Sequence, residues 1–372
     1  MFSEISTYIL YNVILFCCPL LCFLGQKFKK KGFVFLAYII ILFVTIFRYD
    51  IGADYQNYAL ESSWLQDVLV GGLSLKYVLS EYLKEPFFVV LTYIFSWSDD
   101  VFVWVLSIYN SFSIILFYKI LERYNIHAIG LFVYISTCIL FQNWDWVRQS
   151  LVMFIFIYSL RYIENRCVWK YMLSMLVSFF IHYSALVLIP VYYFNRIKIN
   201  VRILPILLSI AFVMAEIGVF TSINNLISQL MSLYYGFPPD LSAISGEGGY
   251  RSMAYVLRVL WYISILFFSS NVVEKHMSIL YFIGALLFVM APFNLYISRL
   301  GFYFASLQIV IVPILLKKNV LSSFRKQIVV LLLVMQIAVY NKFISLNING
   351  CMPYQTIFSE EFDMRIFRVK DY

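Results

Sequence analysis

The residues able to do chemistry fall into short clusters, and the clusters are rich in arginine. Arg48, Asp50 and Asp54 follow one another in FRYDIGADYQNY, Glu85 stands before Pro86, and Asp145, Arg148 and Gln149 lie in DWVRQ. His182 sits near the middle of a long apolar run, and Arg251, Arg258 and Arg299 come later in the chain. A guanidinium presents a planar fork of donors that matches phosphate oxygens bidentately. With several arginines and few acids, a cavity gathering these groups would suit an anion, and a diphosphate is the natural guest. The competing reading makes them interfacial anchors, with stems in lipid and heads among the headgroups. Anchoring explains Arg251 and Asp145 well. It explains Arg258 poorly, because that residue falls about two turns into an apolar segment, where an unpaired charge is expensive. Asp50 and Asp54 are spaced to share a metal, but arginines can replace the cation, so no metal and no cofactor is assigned. The six cysteines show no CxxC or Cys/His ligand spacing, and Gly246–Gly249 lacks the GK[ST] of a phosphate loop.

The elements that must position these residues are membrane helices. The chain is 372 residues, 62% hydrophobic and 13% charged, against about 45–50% and about 25% in soluble proteins. The apolar excess must face lipid, and no polar block is long enough to fold separately, so residues 1–372 read as a single all-α polytopic transmembrane domain. A span takes about 20 residues. Ten candidates follow: 5–25, 32–47, 101–119, 128–142, 147–162, 203–220, 252–268, 277–292, 300–316 and 326–341. The stretch 86–97 is too short to cross and is expected to enter from outside. The stretch 169–194 has basic residues at both ends, which predicts a re-entrant pair of half-helices with His182 and Tyr183 at the apex. Loops 26–31, 118–127, 161–170, 195–202, 269–276 and 317–326 hold 17 of the 28 Lys and Arg residues, which makes them cytoplasmic. The first span is then retained with its N-terminus outside. The long external segments are 48–100, 221–251 and 342–372, the middle one breaking at Gly236-Phe237-Pro238-Pro239 and Gly246–Gly249 as a mobile flap would. The basic clusters sit between apolar runs, so the charge of +8 is a loop bias, and no nucleic-acid partner is expected.

Several of these segments together resemble the EpsG-like family. Arg48-(x)3-Gly52-Ala53-Asp54-Tyr55-(x)2-Tyr58 resembles its R…GtDY..Y signature, with Ala53 where Thr is usual. Glu85-Pro86-Phe87 resembles EPgf, Arg148-Gln149 resembles RQ.iA, and Ile181-His182-Tyr183-Ser184-Ala185 resembles FH.SA with Ile for Phe. Arg299-(x)3-Tyr303 and Pro353-Tyr354 complete the series, which runs from about residue 48 to 358. The resemblance implies a Wzy-type polysaccharide polymerase with GT-C-like architecture in the bacterial inner membrane. Such proteins join oligosaccharide repeats carried on undecaprenyl pyrophosphate at the periplasmic face, with membrane lipid around them and a chain-length regulator protein as a candidate partner. Under that chemistry a base must take the acceptor proton and positive charge must meet the departing diphosphate. The candidate bases are Asp54, Glu85 and His182. The candidate substrate-binding residues are Arg48, Tyr55, Tyr58, Arg148, Gln149, Arg258, Arg299 and Tyr303, with Trp144 or Trp146 as further sugar-stacking rings. His182 equally suits a buried hydrogen-bonding residue at a helix break. A flippase of the same lipid-linked sugar would show inverted repeats and ionisable groups through its depth, whereas the charges here crowd one face. A membrane O-acyltransferase would need a catalytic His beside a polar partner, and an assembly subunit would have no use for deep arginines.

Overall fold

The computed structural model describes residues 3–81, 85–235, 253–270, 272–290, 294–317, 322–347 and 350–358. Arg251 and the two glycine-bearing breaks of the expected flap lie outside them. Among the described residues there is no strand, and one isolated antiparallel bridge joins Arg48 to Thr356. Helices α1 (Glu4–Lys27), α2 (Lys31–Ile46), α6 (Val101–Tyr124), α9 (Val147–Glu164) and α17 (Ser323–Leu346) provide the long elements. The outward face of α1 shows why a membrane is required. Ile5, Ile9, Val13, Phe16, Leu20 and Phe23 recur at helical spacing and are each about half or more exposed. A continuous apolar stripe along a whole helix has no place in water.

Each of the ten expected segments contains a helix, but length and composition qualify fewer as spans. Glu4–Lys27, Val101–Tyr124, Tyr296–Leu316 and Ser323–Leu346 are long and apolar enough to cross a membrane. Val201–Glu216 with Thr221–Ile227, bent by 83°, would make a fifth. The physical reasons are local. Segment 128–142 is divided by Cys138, whose φ of 63° ends α7 (His127–Ser136) before α8 (Ile139–Asp145). In α9 Arg148, Arg161 and Glu164 dilute the apolar content. Segment 300–316 starts earlier and is interrupted at Ser306-Leu307, between α15 (Leu295–Ala305) and α16 (Gln308–Leu316).

Two compact units are present, residues 1–192 with 337–372, and residues 193–336. In the first, α1 packs on α2 and α7, and α6 packs on α2 and α9. The segment 48–100, expected to be external, is largely helical, as α3 (Tyr55–Val70), α4 (Leu75–Glu81) and α5 (Pro86–Ile94), with α3 and α5 leaning on α6. Helix α10 (Val168–Ile181) ends at His182, whose extended backbone hands the chain to a 3-10 helix over Tyr183–Arg196. Tyr171 near the start of α10 donates to the Leu188 carbonyl at 2.6 Å, and its ring lies 5.6 Å from that of Tyr192. Residues so far apart in a straight helix would stand about 30 Å from one another at 1.5 Å per residue. The chain therefore doubles back, with His182 at the tip of a helical hairpin.

In the second unit α11 (Leu204–Glu216), α13 (Met253–Ser269), α14 (Lys275–Met290), α15 and α16 pack together. A Cβ on Gly284 would lie 2.4 Å from the Ala305 nitrogen, so α14 and α15 touch backbone to backbone, the close approach small residues permit. Helix α12 (Thr221–Tyr235) follows α11, and Asn224 donates to the Met290 carbonyl at 2.8 Å.

Candidate functional site

Two arginines organise the polar cluster of the first unit. The first is Arg48, 1% exposed, at the end of α2. Its guanidinium donates to the carbonyls of Thr45, Ile51 (3.3 Å) and Trp144 (3.0 Å). The Trp144 indole donates in turn to Thr45 Oγ1 at 3.1 Å. Asp145 accepts from the Ala53 amide at 2.7 Å, and Gly52 sits at φ +105° where a Cβ would fall 2.8 Å from the same carboxylate oxygen. Residues 350–357 close over this turn. Tyr49 N donates to the Gln355 carbonyl (3.0 Å), Ile357 N to Phe47 (3.1 Å), and Gly52 N to Gly350 (3.3 Å). Tyr354 donates its hydroxyl to the Val44 carbonyl at 2.9 Å. Tyr55 is 1% exposed, donates to the Arg48 carbonyl at 3.4 Å and packs edge-on against Phe102. Asp54 is the half-buried N-cap of α3, and Asp50 accepts from Gln56 at 2.9 Å.

The hub fixes where α3 starts, and one turn further on α3 meets the second arginine. Arg148, in the first turn of α9, is bound by two carboxylates. Glu61 on α3 takes the fork through both oxygens, Oε2 at 3.1 Å from Nη2 and Oε1 at 3.2 Å from Nη1. Glu85, the residue before α5, takes Nη1 in a short ion pair. The other oxygen of Glu85 meets His182 Nδ1 at 2.9 Å. The rings of Tyr58 and Phe88 lie 4.6 and 4.8 Å from the guanidinium carbon, cation–π contacts that suit a partly desolvated arginine. Pro86 at the first position of α5 fixes the helix start, which leaves the Glu85 side chain to reach Arg148 and His182. Tyr109 on α6 is buried against Phe87, and its hydroxyl has no hydrogen-bond partner among the described residues. It feels the charges of Arg148, Glu85 and Glu61.

The two carboxylates differ in acidity. Burial pushes Glu85 up, but the Arg148 charge and the hydrogen bonds from His182 and Arg148 outweigh it, and the group is held below the usual carboxylate value. Burial also pushes Glu61 up, the Glu85 charge adds to it, and Arg148 does not offset them, so Glu61 stays above the usual value. An ionised Glu85 can only accept. His182 Nδ1 must therefore carry the proton, which leaves Nε2 as the acceptor of the neutral ring. This is the arrangement in which a carboxylate orients an imidazole base.

The protein thus brings together Glu85, Arg148, His182 and Tyr58 from the expected set. Arg48 and Tyr55 lie in the adjoining hub, and Gln149 is 4% exposed beside Arg148 in sequence. Arg258, Arg299 and Tyr303 belong to the second unit. Arg258 lies over the Phe288 ring at 5.7 Å, Arg299 is half-buried on α15, and Tyr303 is fully buried. Glu61 is the residue that sequence reasoning missed. Its signal was its spacing three residues after Tyr58, on the same face of α3.

Fold and site define an all-α, multi-pass membrane protein with a charged cluster held at the ends of its helices. The chain belongs to the EpsG family, whose model matches residues 31–356. Members are Wzy-like polymerases, and the chain is accordingly a polymerase-type membrane protein of exopolysaccharide or O-antigen synthesis. No curated protein matches it and no solved structure does.

Proposed function

We propose that the chain joins oligosaccharide repeat units carried on undecaprenyl pyrophosphate, at the outer face of the bacterial inner membrane, and that Glu85, His182 and Arg148 form its reaction centre. The observation that carries this reading is the relay Arg148–Glu85–His182, a base held in one tautomer by a carboxylate that an arginine keeps ionised. In the reaction His182 Nε2 accepts the proton of the acceptor hydroxyl. The hydroxyl oxygen bonds to C1 of the donor sugar, and the C1–O bond to the diphosphate breaks with its electron pair leaving on phosphate. Arg148 meets the charge developing there. Tyr58 offers a ring for sugar stacking in this reading. Arg48, Tyr55 and Asp145 set the position of α3 and of the start of α9, and Asp54 stands at the position just before α3. The basic-loop bias supports placing this centre on the non-cytoplasmic side.

Deleting the gene tests the reading against its rivals. Where the polymer is O-antigen, a polymerase deletion leaves lipid A-core capped with one repeat and no ladder. Bare core would mean that delivery was lost and would favour a flippase. A full ladder of altered chemistry would favour an acyltransferase. Either result overturns the proposal.

A further inference from the structure

Glu61 has no task in the reaction just described, yet it occupies the arginine more symmetrically than Glu85 does. Its two oxygens lie at 3.1 and 3.2 Å from Nη2 and Nη1, the bidentate geometry that two oxygens of a phosphate adopt on the same fork. It is also the most accessible member of the cluster. Its side chain is 29% exposed, against 17% for Glu85 and 15% for Arg148. Glu85 is tied on both oxygens, to Arg148 and to His182. Two carboxylates already exceed the single charge of Arg148, so a further anion can reach the fork only if one of them leaves. Tyr109, whose buried hydroxyl is unpartnered among the described residues, packs its ring against Phe87, two residues beyond Glu85.

We propose that Glu61 is the displaceable occupant of a phosphate subsite on Arg148, holding the outward donors of the fork until a phosphate group of the lipid-linked donor replaces it. The inference rests on Arg148 as the diphosphate ligand and adds a specificity device to it. Only a group that binds bidentately and carries more than one negative charge competes with the resident carboxylate, so neutral and singly charged lipids are refused. Burial disfavours the ionised form of Glu61, which makes its release less costly than that of Glu85.

The test measures binding of inorganic pyrophosphate to the purified full chain in lipid nanodiscs. Glu61→Gln removes the competing charge at constant size, and pyrophosphate should bind on the order of tenfold tighter, a change of about 1.4 kcal/mol. The KM for the lipid-linked donor should fall in the same direction. Unchanged or weaker binding overturns the proposal, as does a loss confined to kcat, which would make Glu61 a base. Glu61→Asp shortens the reach by one methylene and should also tighten binding, which keeps the test open if the glutamine variant misfolds. If both misfold, Glu61 is a structural partner and the proposal fails. Arg148→Lys separates the two layers, since wild-type pyrophosphate binding by that variant would dismiss Arg148 as the ligand whatever Glu61 does.

Discussion

Arg48 and Arg148 sit in the same unit and both lie against aromatic rings, Arg48 fully buried and Arg148 with its side chain 15% exposed. Their partners differ in kind. Arg48 gives its donors to three main-chain carbonyls from two distant stretches of chain, and no described carboxylate pairs with it directly. Arg148 gives its donors to Glu61 and Glu85. A carbonyl is fixed in the backbone and cannot be exchanged, so the first arginine fastens the chain. A side-chain carboxylate can rotate away or change its protonation, so the second is a group with alternatives. The fully buried arginine thus holds shape, and the more accessible one is free to respond to a ligand.

The largest effect is expected where the fastening is removed. Arg48→Gln would leave buried carbonyls of Thr45, Ile51 and Trp144 short of donors, at a cost on the order of 4 kcal/mol. Thermal unfolding in detergent should show the loss, and Arg48→Lys should rescue little, because a compact ammonium cannot span the carbonyls that Nε, Nη1 and Nη2 reach across the guanidinium plane. A variant with wild-type stability would remove the distinction between the two arginines.

Arg148→Lys sharpens the comparison from the other side. The charge that Glu61 and Glu85 require is kept, so the protein should fold, while the lost fork should reduce turnover on the order of 10²-fold. Normal turnover with intact insertion would return Arg148 to the interfacial anchors.

Smaller effects separate the two glutamates. Glu85 ionises more readily in the folded chain than in the unfolded one. Its contribution to stability is present above the ordinary carboxylate value and is lost as pH falls through its lowered value. Glu61 ionises less readily when folded, so its contribution is present below the ordinary value and is lost as pH rises through its raised one. Melting temperatures across roughly pH 3 to 7 should show Glu85→Gln blunting the acid-side loss, and Glu61→Gln removing the loss on the neutral side. The same sign for both variants would show that the guanidinium does not hold them differently.

Much of this was legible in the sequence, for reasons that particular residues make clear. The apolar runs located the helices, and the basic residues at 170 and 196–202 marked the hairpin that turns at His182. Glu85, Arg148 and His182 stood out because charge beside apolar sequence is rare. Glu61 did not, since a glutamate in a segment of mixed polarity is ordinarily solvated, and only the course of α3 turns it toward Arg148. The closure of residues 350–357 over the Arg48 turn was hidden as well. It is built from main-chain hydrogen bonds, which leave little trace in side-chain types. The break at Cys138 was hidden in the same way, because a left-handed backbone at a cysteine follows no local propensity.

In the proposed function this chain forms glycosidic bonds at the Arg148–Glu85–His182 relay. Purified protein in vesicles, supplied with polyprenyl-diphosphate-linked repeat units, tests it most directly. A polymerase should give a ladder of lengthening glycans with one free lipid diphosphate released per bond formed, and the ladder should be lost in His182→Ala and Glu85→Gln protein that remains folded. Repeat units that stay single, or that cross the bilayer unjoined, would contradict it.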